Sequence, residues 1–309
     1  MRNKSGQINI VLHEKHDDKT KNKSENQVLN SSPFLHIEQE LSSFVGLNNV
    51  KKTVKEIYAT LLINQKRKEL GLNCSKQVLH MMFKGNPGTG KTTVARKLAK
   101  LYFDMNILSK GHFIEAERAD LVGEYIGQTA QKTRSLIQKA MGGILFIDEA
   151  YSLARGGEKD FGKEAIDSLV KHMEDHLNDV VIIMAGYPRE MERFLLLNPG
   201  LKSRFPFIID FPDYSVGHLL NIAKRMASER EYQLTEEAER NLRAHLYDKV
   251  QKKEYNFSNA RYIRNLIEQA IRKQAVRLIG DNHLSMEHLM YLTAEDFTVS
   301  ASHQTTRIL

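Results

Sequence analysis

Gly85-Asn-Pro-Gly-Thr-Gly-Lys-Thr92 sets two glycines, a lysine and a hydroxyl at the spacing G-x-x-x-x-G-K-[ST]. At ordinary residue frequencies such a match arises by chance in about one chain in a hundred of this length. The glycines let backbone N–H groups turn inward around phosphate oxygens. Lys91 then reaches the outer phosphates and the Thr92 hydroxyl offers a ligand for Mg²⁺. The pattern means this only between a strand and a helix. Val78-Leu-His-Met-Met-Phe83 is an apolar run of strand length, and Thr93 to Tyr102 places Val94, Leu98 and Leu101 on one helical face. The candidate phosphate cradle is therefore Gly85, Asn86, Pro87, Gly88, Thr89, Gly90, Lys91, Thr92 and Thr93; the alternative is a glycine-rich turn with no ligand.

A second constellation lies downstream. Ile144-Leu-Phe-Ile147 is an apolar run that ends in Asp148-Glu149. A parallel sheet would deliver both acids to the edge where the phosphate loop lies. Asp148 is expected to hold Mg²⁺, largely through water, and Glu149 to orient and deprotonate an attacking water. A strand ending in solvated acids is the plainer alternative. No N-K-x-D guanine signature and no LSGGQ-like stretch is present, so ATP rather than GTP is the expected nucleotide, with Mg²⁺ as its companion ion.

The elements that must position these residues alternate. A helix is expected over Val50 to Leu70, ended by Gly71, and strands over His112–Ala116, Ile144–Ile147, Val180–Ala185 and Phe207–Phe211. Helices are expected over Thr129–Met141 and Gly162–Leu177. Apolar strands separated by helices predict a parallel sheet covered on both faces. After Pro212 the periodicity is helical only, over Val216–Glu231, Thr235–Lys252 and Asn259–Leu278. The predicted fold is an α/β P-loop NTPase with a parallel sheet flanked by helices, plus a small C-terminal all-helical lid. The expected divisions are a disordered polar tail at 1–32, a nucleotide-binding domain at 33–213 and the lid at 214–309.

With 309 residues and 41% hydrophobic content there is material for a real core. One cysteine, Cys74, excludes an internal disulfide framework. No apolar run approaches the roughly 20 residues of a membrane span, and the N-terminus lacks a secretory apolar segment, so a cytoplasmic location is expected. The net charge of +7 is spread among interspersed acids, which favours an ordinary solvated surface over a nucleic-acid face.

The order of phosphate loop, acidic strand end, arginine-bearing segment and helical lid resembles an AAA+ ATPase. More closely, Asp120-Leu-Val-Gly-Glu-Tyr-Ile-Gly-Gln-Thr-Ala130, Phe146-Ile-Asp-Glu-Ala-Tyr-Ser-Leu153, Ala185-Gly-Tyr187, Asn198-Pro-Gly-Leu-Lys-Ser-Arg-Phe205 and Phe211-Pro-Asp-Tyr214 resemble the family that joins the red-type Rubisco activase to stage V sporulation protein K. The sporulation branch is the nearer, and the likeness spans roughly residues 35 to 280. It implies an ATP-hydrolysing ring, commonly a hexamer, that remodels or threads a protein client, here in spore formation.

By position the resemblance also implies roles. Arg204 matches the arginine finger that reaches a neighbouring subunit's γ-phosphate; an ordinary surface arginine is the alternative. Arg261 matches the sensor arginine of the lid, against a basic helix face that Arg264, Arg272 and Lys273 would continue. Val45 and Gly46, within Phe44-Val-Gly-Leu47, match the segment beside adenine, against simple helix-entry packing. Tyr125, Ile126 and Gly127 match the pore loop that grips an extended polypeptide, where a flat amphipathic ring suits many side chains; a tyrosine packed on its own domain is the alternative. The family's polar phosphate sensor after the fourth strand has no clear counterpart, since the stretch reads Ala185-Gly-Tyr-Pro-Arg189.

Other features read plainly. His172 and His176 share a helix face but fit neither H-E-x-x-H nor H-x-x-E-H, so solvated histidines are expected rather than zinc ligands. Gly156 to Gly162 reads as a turn before a helix, with a second pore loop as the alternative. The competing classes are a nucleic-acid loader, which would need a DNA-binding element that residues 214–309 do not show, and an ATP-gated scaffold, against which an intact Glu149 argues.

Overall fold

In the computed structural model, residues 35–42, 44–74, 77–125, 127–156, 160–176, 179–252, 257–280 and 284–297 are described. The expected polar tail at 1–32 and the pore-loop residue Ile126 lie outside them. In chain order the main elements are α1 (Leu35–Ser42), α2 (Asn48–Glu69), β1 (Met81–Gly85), α3 (Lys91–Asp104), β2 (Phe113–Ala116), α4 (Gln128–Ala140), β3 (Ile144–Ile147), α5 (Gly162–Asp175), β4 (Val181–Gly186), α6 (Pro188–Leu197) and β5 (Phe207–Phe211). The lid adds α7 (Val216–Ser228), β6 (Gln233–Leu234), α8 (Glu236–Gln251), α9 (Asn259–Leu278) and β7 (Tyr291–Leu292).

The five long strands pair in the order β2-β3-β4-β1-β5, all parallel. The period-2 geometry of a strand explains why β3 and β4 are apolar at every position. Ile144 and Phe146 face one core with α2, α3 and the lid, while Leu145 and Ile147 face a second core with Leu121, Ile137, Leu169 and Phe194. All four β3 side chains are buried.

β1 begins later than the apolar run at Val78 suggests. The His80 ring, not its backbone, takes the Ile182 N–H, accepting it at Nδ1 over 3.1 Å. The ladder therefore starts at Met81, opposite Ile183. Burial pushes the His80 imidazole down to about 4, which keeps it neutral and able to accept.

The lid is helical, with one feature that its periodicity hid. Gln233–Leu234 pairs in parallel with Tyr291–Leu292. Two residues are too few to show alternation. The pair is anchored by Gln274 of α9, whose amide donates to the carbonyls of His288, Leu289 and Tyr291 at 3.0, 3.1 and 3.0 Å. Thr235 and Ser215 cap α8 and α7 by accepting the N–H groups of Ala238 and His218, both at 3.2 Å.

Candidate active site at the carboxyl edge of the sheet

Parallel strands end on one edge of the sheet, and here β1, β3 and β4 deliver the phosphate loop, Asp148-Glu149 and Tyr187 to that edge. Between this edge and the lid lies a cleft of about 520 Å³, within the range of small-molecule sites. Lys91, Thr92, Thr93, Asp148, Glu149 and Arg261 all line it.

The phosphate loop has the expected turn. Gly88 and Gly90 sit at φ 69° and 98°, where a side chain would be strained. Pro87, Gly88 and Gly90 line the cleft, whereas Gly85, Asn86 and Thr89 shape the loop from behind. Lys91, 9% exposed, crosses the loop and donates to the carbonyls of Gly85 (2.7 Å) and Asn86 (2.9 Å). Burial holds its ammonium below the usual lysine range; the Arg261 charge adds to this and Asp148 opposes it. Such a site gains from a polyanion.

Glu149 is one of five described non-glycine residues at positive φ, at 45° with ψ 42°. A glutamate held there costs about 1–3 kcal/mol and points to a functional constraint. Its carboxylate is exposed to the cleft, and Asp148 beside it is half-buried, with Oδ1 accepting the Glu149 N–H at 2.9 Å. The rings of Tyr151 and Tyr187 lie 5.7 Å apart, tilted by 31°, beside it. Burial and then the Glu149 charge push the Tyr187 hydroxyl up, so it stays protonated and able to donate. Tyr187 thus stands in the cleft at the end of β4, where sequence reasoning left the phosphate sensor unassigned.

The lid side of the cleft is lined by Arg261, and by Arg264 one turn further along α9. Arg272 and Lys273 flank a different hollow, so the basic-face alternative does not describe α9 as a whole. Phe44 and Val45 reach the cleft, and Gly46 packs its backbone against the His218 ring. Sequence reasoning missed Tyr214, Ile222 and Met226, which supply apolar wall, and Arg225 and Glu229 at its rim. The i, i+4 spacing of Ile222 and Met226 was the available signal.

Two expected residues lie elsewhere. Arg204 follows the short helix Pro199–Lys202 and is not in the cleft; it donates to the Gly200 carbonyl at 2.6 Å and pairs with Glu174 of α5. Tyr125 lies on the loop before α4 and is 68% exposed, which removes the alternative of a ring packed on its own domain. Gly127 follows at φ 82° in open space.

Of the Gly156 to Gly162 stretch, residues 157–159 lie outside the described residues. Asp160 accepts the N–H groups of Gly156 (2.9 Å) and Gly162 (3.1 Å) and pairs with Arg118. His172 and His176 stack at 5.7 Å, and among the described residues no group of three or more His, Cys, Asp or Glu side chains is placed to hold a metal ion. Cys74 Sγ donates to the Asn64 carbonyl at 3.3 Å. No helix among the described residues is long and apolar enough to cross a membrane.

Fold and cleft define a P-loop ATPase with a helical lid, and comparison with known proteins agrees. Residues 81–213 match the ATPase family associated with various cellular activities (AAA), and residues 215–307 match the AAA lid domain. The chain belongs to this AAA family and hydrolyses ATP to ADP and phosphate. It is 59% identical over 305 residues to stage V sporulation protein K of Bacillus subtilis, covering 96% of this chain and 94% of that protein. It is 45% identical over 263 residues to the chloroplastic ribulose bisphosphate carboxylase/oxygenase activase of Cyanidioschyzon merolae, covering 84% and 89%. Among solved structures the FIGL-1 AAA domain shares the fold, with TM-score 0.56, 19% identity and coverage of 83% and 80%.

Proposed function

We propose that this chain assembles into a ring, a hexamer in the simplest case, and uses ATP to remodel or thread a protein client. One observation carries the reading: Lys91, Thr92, Asp148, Glu149 and Arg261 share one cleft while Arg204 stands outside it. A finger that cannot serve its own site fits a site between subunits. Residues 33–213 form the motor and 214–309 the lid in this scheme.

Lys91 and the loop N–H groups bind the β- and γ-phosphates. Thr92 and Asp148 suit Mg²⁺, which would screen the phosphate charge when bound. Glu149 takes the proton of the attacking water. Arg204 of the adjacent subunit, and Arg261 of the lid, offset charge on the transferred group. Val45 and Gly46 take the adenine end. Tyr125, with Ile126 and Gly127, grips the client, and its exposure supports that role. The similarity to a sporulation protein supports a role in spore formation; the likeness to a Rubisco activase keeps the client's identity open to direct capture.

The test is Glu149→Gln in the full chain. ATP binding and assembly persist, turnover falls at least about 100-fold, and a client stays bound for identification by mass spectrometry. A variant that retains nothing beyond what the wild type retains would remove the remodelling reading.

A further inference from the structure

A phosphate loop that turns its N–H groups inward must turn carbonyls outward, and outward carbonyls under a lid need donors. Here the lid and the linker before it supply them. Asn259 Nδ2 donates to the Pro87 carbonyl at 3.3 Å, the Ala260 N–H to Gly88 at 3.1 Å, and the Tyr214 hydroxyl to Thr89 at 3.0 Å. There is no slack in this contact, because a Cβ on Gly88 would overlap the Ser258 carbonyl.

One side chain ties the three parts together. Asn259 is 0% exposed and begins α9 at φ 45°, a conformation that asparagine tolerates better than most residues. Its Oδ1 accepts the Tyr214 N–H at 2.9 Å, and its Nδ2 also donates to Asp213 Oδ1 at 2.7 Å and to the Phe257 carbonyl at 3.1 Å. Asp213 in turn accepts from Asn86 Nδ2 on both oxygens, at 3.0 and 2.9 Å. Loop, linker and lid thus share one carboxylate. The next two residues of α9, Ala260 and Arg261, line the cleft.

We propose that Asn259 is a positioning residue for ATP hydrolysis: through Asp213 and Asn86 it makes the lid follow the phosphate loop, and so sets where Arg261 stands when nucleotide binds. The lid cannot swing without leaving the Pro87, Gly88 and Thr89 carbonyls unpaired. Any loop movement on phosphate binding is therefore handed to α9 directly. This rests on the cleft being the site of ATP turnover.

The test uses the full chain and two substitutions. Asn259→Gly keeps the left-handed backbone and removes the amide. Asn259→Asp keeps size and sets a second carboxylate against Asp213. Each lowers kcat for ATP about tenfold or more, the scale of an ordinary coupling between sites, with a smaller change in KM. Spin labels on Arg193→Cys and Arg243→Cys, in a Cys74→Ser background, report the separation of large domain and lid. That separation differs between ADP and a non-hydrolysable ATP analogue in the parent, and ceases to differ in both variants. Asp213→Asn combined with Asn259→Asp restores a donor facing an acceptor and recovers at least about threefold of the lost kcat. Wild-type kcat and wild-type distance response in the single variants would overturn the proposal, as would a double variant no better than Asn259→Asp; the nucleotide-dependent distance is the readout that an asparagine serving only the fold would leave unchanged. The distance measurement needs binding alone, so it judges Asn259 even if turnover itself were lost for another reason.

Discussion

Lys91 shows how chemistry and burial meet in one side chain. Its ammonium is nearly enclosed, its pKa is pushed down by burial and by Arg261, and backbone carbonyls hold it in place. Arg204 is a different case, a half-buried guanidinium outside the cleft and paired with Glu174. Used as a finger, it must leave Glu174 for a phosphate on the next subunit. Arg204→Ala should then lose about 10³-fold in ATPase rate while binding a fluorescent ATP analogue normally. Mixing it with Lys91→Ala should restore turnover, since one variant supplies the loop and the other the arginine. Lost nucleotide binding, or no recovery on mixing, would remove Arg204 from the active site. The motif residues were legible because their types and spacing are dictated by phosphate geometry. Tyr187, Tyr214 and Asn259 were not, because their roles depend on what folds against them.

Strands β3 and β5 were readable to the residue, and α9 as well, since an apolar run or a 3.6-residue period carries the signal by itself. The start of β1 was not. His80 looks like one more residue of the run, and only its register against Ile182 shows that the ring replaces a ladder bond. This has a pH consequence. The folded-state pKa of about 4 lies below the ordinary histidine value, so the unfolded chain binds the extra proton as pH falls. Stability is whole above about pH 6.5, declines as pH drops through the window to about 4, and is level below it. Between pH 7 and 5 the loss from this residue is about 2 kcal/mol. His80→Gln keeps an acceptor without the charge. Urea unfolding at both pH values should show a smaller decline in the variant, and an identical decline would assign the acid sensitivity to other groups. The paired residues of β6 and β7 were invisible for a different reason: at two residues each they show no alternation, and β7 is held in place by Gln274 of α9.

At the scale of the whole molecule, the cleft lies under the lid, and Tyr125 is exposed on a separate loop. Tyr125→Ala should leave basal ATPase within about twofold of wild type, as a surface change distant from the cleft would, while client retention by the Glu149→Gln trap falls severalfold. Equal loss of both activities would mean that Tyr125 supports the fold or the cleft rather than grip.

Asp148 and Glu149 could be paired with Gly85 to Thr92 before any coordinates, because a parallel sheet delivers strand ends to one edge whatever the loops do. The nucleotide and the order of sheet and lid follow from such rules of spacing and period, while the family rests on the resemblance of motifs such as Asp120 to Ala130 and Phe146 to Leu153. What had to wait for the folded chain was every relation between distant segments: the donors that the lid and linker set on the phosphate-loop carbonyls, Asn259 bridged to Asn86 through Asp213, Tyr187 beside Glu149, and Arg204 paired with Glu174. Hydrogen-bond partners and exposure are set by packing, and packing joins residues that no period or spacing places together.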